Sequence, residues 1–282
     1  MSITKVGVLG AGTMGAGIAQ VSIEAGYSVV LVDVVPPVLD KAIKSMNKSW
    51  SKAVEKGKKT AEDVAKFSAL LSTGTDIKAF QDCDIVIEAI IENMDLKKKV
   101  FKEISEICPP NTILASNTSA LSITEIAAAT NRPDKIVGMH FFNPVPAMKL
   151  VEVIPGAVTS DEVINETIDL AVKIGKEPVP TKESPGFIVN RILVPYINEA
   201  AIAYGEGVAS AAEIDKAMKL GAGMPMGPLA LADLVGIDVV LMVMEYFWAE
   251  FGDSKYRPAL AFKQKVRAGH LGMKTGKGFY DY

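Results

Sequence analysis

The run KVGVLGAGTMGAG, residues 5 to 17, restricts the fold more than any other part of the chain. A short β-rich stretch ends at Gly10. Gly10, Gly12 and Gly15 then carry the spacing G-x-G-x-x-G straight into a segment with helical periodicity. Strand, glycine turn and helix in that order form the phosphate-binding half of a dinucleotide βαβ unit. Gly10 permits the tight turn, Gly12 lets the backbone approach a pyrophosphate, and Gly15 lets helix and strand pack closely. The helix N-terminus favours the negative charge, so residues Gly10, Ala11, Gly12, Thr13, Met14 and Gly15 are the expected cradle.

A dinucleotide site of this kind also needs an acid about 20 residues on, at the end of the next strand. Asp33 closes SVVLVD and meets that need. Its carboxylate is expected to accept from the adenosine ribose hydroxyls and to repel a 2′-phosphate. No arginine follows it, and the first cation is Lys41. NAD is therefore expected rather than NADP.

The remaining first half alternates between β-rich runs and helical segments. The runs are DIVIEA (84–89), TILAS (112–116), KIVGMHF (135–141) and MKLVEVI (148–154), with a helix over 161–174 and a last extended piece at EPVPT (177–181). That alternation predicts an α/β fold, a Rossmann-type, mostly parallel sheet with helices on both faces. From Phe187 onward strand signal is nearly absent, and helices are expected near 187–205, 210–220, 228–251 and 258–268. Pro185 and Gly186 mark the break, so residues 1–184 read as the cofactor domain and 185–282 as an all-helical domain.

Net charge is −3, which gives no global basic field and no pointer to nucleic acid. The two cysteines have no partner at metal-ligand spacing, so no metal is expected and the thiols read as reduced. The N-terminal residues lack the pattern of a signal peptide. The most apolar stretch, residues 229–251, is interrupted by Asp233, Asp238 and Glu245, short of the ~18 apolar residues of a membrane span. It reads as a buried helix at a subunit contact. A cytoplasmic enzyme, free of membrane and forming a homodimer through its helical domain, is the resulting expectation.

Lys41, Lys44, Lys48, Lys52 and Lys56 recur every three or four residues after Pro36 and Pro37. They share roughly one helix face, although like charges at that spacing disfavour the helix slightly. A solvated face explains such a stripe, and so does a landing site for a polyphosphate such as the nucleotide end of coenzyme A.

One of the chain's two histidines, His140, ends a strand inside HFFNPVPAMKLVEVI, and Glu152 lies on the next strand. A nicotinamide enzyme acting on an alcohol needs a group that takes the hydroxyl proton, and histidine titrates near working pH. A carboxylate on its other nitrogen fixes the tautomer and stabilises the imidazolium. The turn NPVPA can bring the two within hydrogen-bond reach. His270 has no comparable partner.

GAGTMGAGIAQ, IEAIIEN, SNTSALSI, HFFNPVPAMKLVEVI, PGFIVNRILVPYINEA, AMKLGAGMPMGP and TGKGFYDY follow one another along the chain. In that order they resemble the L-3-hydroxyacyl-CoA dehydrogenase family, and the length resembles its bacterial single-function 3-hydroxybutyryl-CoA members. The resemblance implies interconversion of a 3-hydroxyacyl-CoA and a 3-ketoacyl-CoA with NAD. It implies that His140 is the catalytic base and Glu152 its partner, with Ser119 and Asn190 as donors near the reacting oxygen and Asn143 in the same pocket. It places Glu92, Lys97, Ser119 and Lys274 at the cofactor, and Ser49, Lys52 and Lys56 at coenzyme A. Ala120 departs from the family pattern, where a second serine is common.

Two other readings fit the glycine loop. A β-hydroxyacid dehydrogenase or imine reductase would carry a catalytic lysine four residues before the asparagine, where Gly186 stands here. A non-catalytic NAD-binding relative would have lost the dyad or the serine, and His140, Glu152 and Ser119 are all present.

Overall fold

Short apolar runs bounded by turns become strands buried on both faces, and they fix the first half of the chain. The structure is a computed structural model that describes residues 3–282, and it divides into two units between Ser184 and Pro185. In the first unit β1 (Lys5–Leu9) leads into α1 (Thr13–Glu24), and β2 (Ser28–Val32) into α2 (Pro36–Glu55) and α3 (Ala61–Leu70). There follow β3 (Leu71–Gly74), β4 (Ile85–Glu88), α4 (Met94–Ile107), β5 (Ile113–Ser116) and α5 (Ile123–Ala128). The unit closes with β6 (Ile136–Phe141), β7 (Leu150–Pro155), α6 (Asp161–Lys173) and β8 (Glu177–Pro180).

The strands form one sheet in the order β3-β2-β1-β4-β5-β6-β7-β8. Every neighbouring pair is parallel except β6 and β7, which are antiparallel. This is the expected mostly parallel α/β architecture. Val6, Val8, Ile85, Ile87, Val137 and Met139 are essentially inaccessible to solvent. Each such aliphatic side chain contributes about 1.5–3 kcal/mol through burial. α2 opens on Pro36 and Pro37, whose fixed φ suits the first turn. It buries Leu39, Ala42, Met46 and Trp50 and leaves Lys41, Lys44, Lys48 and Lys52 exposed on other faces.

The second unit contains α7 (Val189–Gly205), α8 (Ala211–Gly221), α9 (Pro228–Val235), α10 (Ile237–Phe251) and α11 (Leu260–Arg267). Its core gathers Ile197, Leu229, Val240, Met244, Phe247 and Phe262. Among the described residues its only strand-like pairings are isolated bridges near the C-terminus.

Two details differ from the sequence-based expectation. The single helix expected over 228–251 is two helices, because Gly236 takes φ +103°, a conformation closed to residues with a Cβ. The pair α3 and β3 was not anticipated; β3 is the edge strand LSTG, mostly open to solvent and without apolar alternation. Among the described residues no helix is long and apolar enough to cross a membrane.

Candidate active site

Strand order reverses between β1 and β4, so a crevice forms at the carboxyl ends of these strands, the usual ligand position in such sheets. The glycine loop sits there. Gly10 has φ +96°, and a Cβ on it would fall 2.6 Å from the Ala89 carbonyl oxygen. A Cβ on Gly15 would fall 1.7 Å from the Gly10 carbonyl oxygen, so no larger residue fits. Gly12 and Thr13 are exposed, Met14 is half-buried, and α1 begins without a side-chain cap. Ala11 N–H donates to Asp33 Oδ2 at 2.8 Å, and Val35 N–H donates to Oδ1 at 2.9 Å. Asp33 is thereby tied to the glycine loop itself.

Alongside the loop lies a cavity of about 420 Å³, whose lining includes Gly12, Thr13, Lys41, Ser49, Asn143 and Val145. Ser49 Oγ accepts from Gln20 Nε2 at 3.0 Å. Lys52 and Lys56 are exposed at the far end of α2, outside this lining.

His140 and Glu152 are direct partners in the antiparallel register of β6 and β7, and both are buried. Directly opposed residues point to the same face of a sheet. Nδ1 of His140 lies 2.7 Å from Oε2 of Glu152. The Phe142 ring lies 4.5 Å from the imidazole, centroid to centroid.

At the ends of β4 and β5 a polar network runs through otherwise apolar surroundings. Glu88 Oε1 accepts from Lys97 Nζ at 2.6 Å and from Ile90 N–H at 2.7 Å, and Oε2 accepts from Ser116 Oγ at 2.7 Å. Lys97 is almost wholly buried and also lies 3.4 Å from Glu92 Oε2. Glu92 Oε1 accepts from Thr118 Oγ1 at 2.6 Å and from Ser119 N–H at 2.8 Å. Asn117 Oδ1 accepts from Phe141 N–H at 2.8 Å, which links this loop to the residue after His140. The first unit thus brings Glu92, Lys97 and Ser119 into one network, while Asn143 lines the cavity.

Asn190 and Lys274 belong to the second unit. Asn190 stands in the first turn of α7, just after Phe187, which adopts φ +53°. Lys274 Nζ is paired with both carboxylate oxygens of Asp238, at 2.6 and 2.7 Å. Among the described residues no group of three or more His, Cys, Asp or Glu side chains could hold a metal.

Sequence reading passed over Glu88, Asn117 and Lys176. Glu88 was visible only as an acid closing the apolar run IVIE. Lys176, one residue before β8, is buried, and its ammonium donates to the carbonyls of Val145 and Met148 in the β6–β7 turn.

Residues 5–184 match the family profile "3-hydroxyacyl-CoA dehydrogenase, NAD binding domain", and residues 186–282 match "3-hydroxyacyl-CoA dehydrogenase, C-terminal domain". The chain is 51% identical over 278 residues to a 3-hydroxybutyryl-CoA dehydrogenase of Clostridioides difficile, covering 99% of both chains. It is 50% identical over 282 residues to a probable 3-hydroxybutyryl-CoA dehydrogenase of Bacillus subtilis, covering 100% of this chain and 98% of the relative. Among solved structures, the crystal structure of (S)-3-hydroxybutyryl-CoA dehydrogenase from Ralstonia eutropha superposes with a TM-score of 0.97 at 50% identity, covering 100% of this chain and 99% of the other.

Proposed function

The chain belongs to the 3-hydroxyacyl-CoA dehydrogenase family, and from that premise we propose that it interconverts (S)-3-hydroxybutyryl-CoA and acetoacetyl-CoA, with His140 as general acid and base. It is an NAD-dependent oxidoreductase. The glycine loop suits the cofactor: side chains are sterically shut out at Gly10 and Gly15, and the uncapped start of α1 is exposed. Asp33, fastened to Ala11 N–H, favours an unphosphorylated ribose. The loop from Gly10 to Gly15 would hold NAD, which would supply the hydride acceptor and donor for C3 of the substrate.

The observation that carries the reading is the His140–Glu152 pair at the carboxyl end of the sheet. With Nδ1 held by the carboxylate, Nε2 is the atom that exchanges a proton with the 3-hydroxyl. Glu152 stabilises the imidazolium that results. In the reducing direction His140 starts protonated and returns that proton. Ser119 and Asn190 donate to the ketone oxygen, where negative charge grows in the transition state. Asn143 and Ser49 line the substrate path, and Lys52 and Lys56 attract the coenzyme A phosphates. Glu92, Lys97 and Lys274 support the cofactor.

The cellular reading is cytoplasmic, within short-chain fatty acid or butyrate metabolism, as a homodimer through the second unit. Exposed apolar side chains there, including Ile192, Leu220, Leu234 and Leu260, support an interface. The test is a C4 to C16 series of 3-ketoacyl-CoA substrates with NADH and NADPH, beside free acetoacetate. Fastest NADH oxidation with acetoacetyl-CoA is expected. Preference for the free acid, or for NADPH, would sink the reading.

A further inference from the structure

We infer that Glu88 is a positioning residue for the reaction: a buried carboxylate at the end of β4 that holds Ser119 in place through Lys97, Glu92 and Ser116. The inference rests on the reading of Ser119 as a donor to the reacting oxygen.

Glu88 is 1% exposed and closes an apolar strand. An ionised carboxylate there costs several kcal/mol unless its oxygens are fully engaged. They are engaged by Ile90 N–H, Lys97 Nζ and Ser116 Oγ. The Ile90 bond only closes Glu88's own turn. The other two begin separate routes to the same place. By one route, Ser116 Oγ accepts from Thr118 N–H at 3.2 Å. By the other, Lys97 faces Glu92, and Glu92 Oε1 takes both Thr118 Oγ1 and Ser119 N–H. The routes converge on residues 118 and 119.

The loop bearing Ser119 therefore takes its shape from side-chain acceptors. Thr118 N–H and Ser119 N–H both end on side-chain oxygens. Removing the anchor leaves Ser116 and Lys97 without their shared partner, loosens the acceptors that hold these donors and lets the Ser119 hydroxyl drift, and a drift of about 0.5 Å is enough to impair a catalytic group. Stability alone does not account for the pair, because replacing a buried ion pair with apolar residues of equal volume is often neutral or stabilising. Fixing the direction of a donor does account for it.

The test is Glu88→Gln in wild-type and Ser119→Ala backgrounds. Glutamine keeps the volume, but its single oxygen cannot serve both oxygens' partners, and its amide group must face either the Lys97 ammonium or the Ser116 hydroxyl. Turnover with acetoacetyl-CoA should fall about 10- to 100-fold, less than the 10²–10³ lost with a whole oxyanion donor. The dissociation constant for NADH should stay close to wild type. In the Ser119→Ala background the same change should have little further effect, since residues in one network are not additive. Melting temperature is measured on the same preparations, so that the loss of turnover is read only on Glu88→Gln protein that stays folded and binds NADH. An equal fold-loss in the Ser119→Ala background, or a loss confined to NADH affinity, would overturn the inference. Normal turnover in Ser119→Ala alone would instead refute the role given to Ser119.

Discussion

Glu152 stands directly across the β6–β7 pair from His140, and its Oε2 lies 2.7 Å from the imidazole Nδ1. Two buried groups so placed act as one unit or as a packed core pair, and the two readings forecast different variants. His140→Gln should keep the fold and NADH binding while turnover falls by about 10²–10⁴-fold. Glu152→Gln should also lower turnover strongly. The double variant should lose much less than the product of the single losses. Melting temperature and kcat measured on the same preparations decide the matter. A core pair would lower the melting temperature and leave turnover near normal.

On the proposed reading, Asp33 sets the choice of cofactor. Asp33→Ala removes an acceptor for the ribose hydroxyls and also the hydrogen bond from Ala11 N–H. NADH should bind more weakly, and the disadvantage of NADPH should shrink. Affinities for both cofactors in wild type and variant check this. An unchanged ratio would count against the assignment.

On the proposed reading, Lys52 in α2 and Lys56 at its C-cap act on coenzyme A rather than on the chemistry. Lys52→Ala and Lys56→Ala should raise KM for acetoacetyl-CoA and leave a pantetheine-truncated analogue nearly unaffected. Both positions are exposed, so added salt should diminish the effect. Equal losses on the two substrates would contradict the role.

Lys176 stands in for donors that the β6–β7 turn lacks. Pro144 and Pro146 have no N–H, and the N–H groups of Ala147 and Met148 both go to the Pro144 carbonyl. The Val145 and Met148 carbonyls receive the Lys176 ammonium instead. Lys176→Met should destabilise the protein by about 1–3 kcal/mol for each orphaned carbonyl. Burial pulls the Lys176 pKa below its ordinary 10.5, with the Glu24 charge opposing. The unfolded chain then holds this proton more tightly, so the Lys176 contribution grows as pH rises toward 10.5 and is lost as pH falls. Urea midpoints across that range should show a gap between wild type and variant that widens with pH. A gap independent of pH would refute the account.

The two thiols behave in the opposite sense. Burial pushes Cys83 up to about 12 and Cys108 up to about 11. Native protein at pH 8 should react with a thiol reagent only after unfolding. Their contribution to stability is complete below pH 9, the ordinary thiol value, and declines as pH rises toward the raised values. Fast labelling of the native protein would show that the sites open locally.

Much of this fold was legible because its strands are short apolar runs with turn residues at both ends. The contact between His140 and Glu152 was legible for a related reason: two such runs flank NPVPA, and an antiparallel return brings their ends together. LSTG was not legible, since an exposed edge strand has no apolar face to betray it. The break at Gly236 was hidden because apolar periodicity continues on both sides of it. Glu88 was hidden because one acid closing an apolar run looks like the end of a strand, and only the fold reveals that Lys97 and Ser116 converge on it.

The β6–β7 hairpin joins its two strands through a turn, whereas the parallel neighbours around it are joined by crossovers. Its pairing can form locally, and it can also form wrongly. A slip of one residue would turn His140 and Glu152 toward opposite faces of the sheet. A slip of two would keep the face but set His140 opposite Leu150 or Ile154, the residues flanking Glu152 by two in β7. Either error would pass unseen in a circular-dichroism spectrum, because the strand content would hardly change. With His140 and Glu152 acting as the proposed pair, specific activity per folded molecule becomes a gauge of strand register in refolded or engineered preparations of this chain.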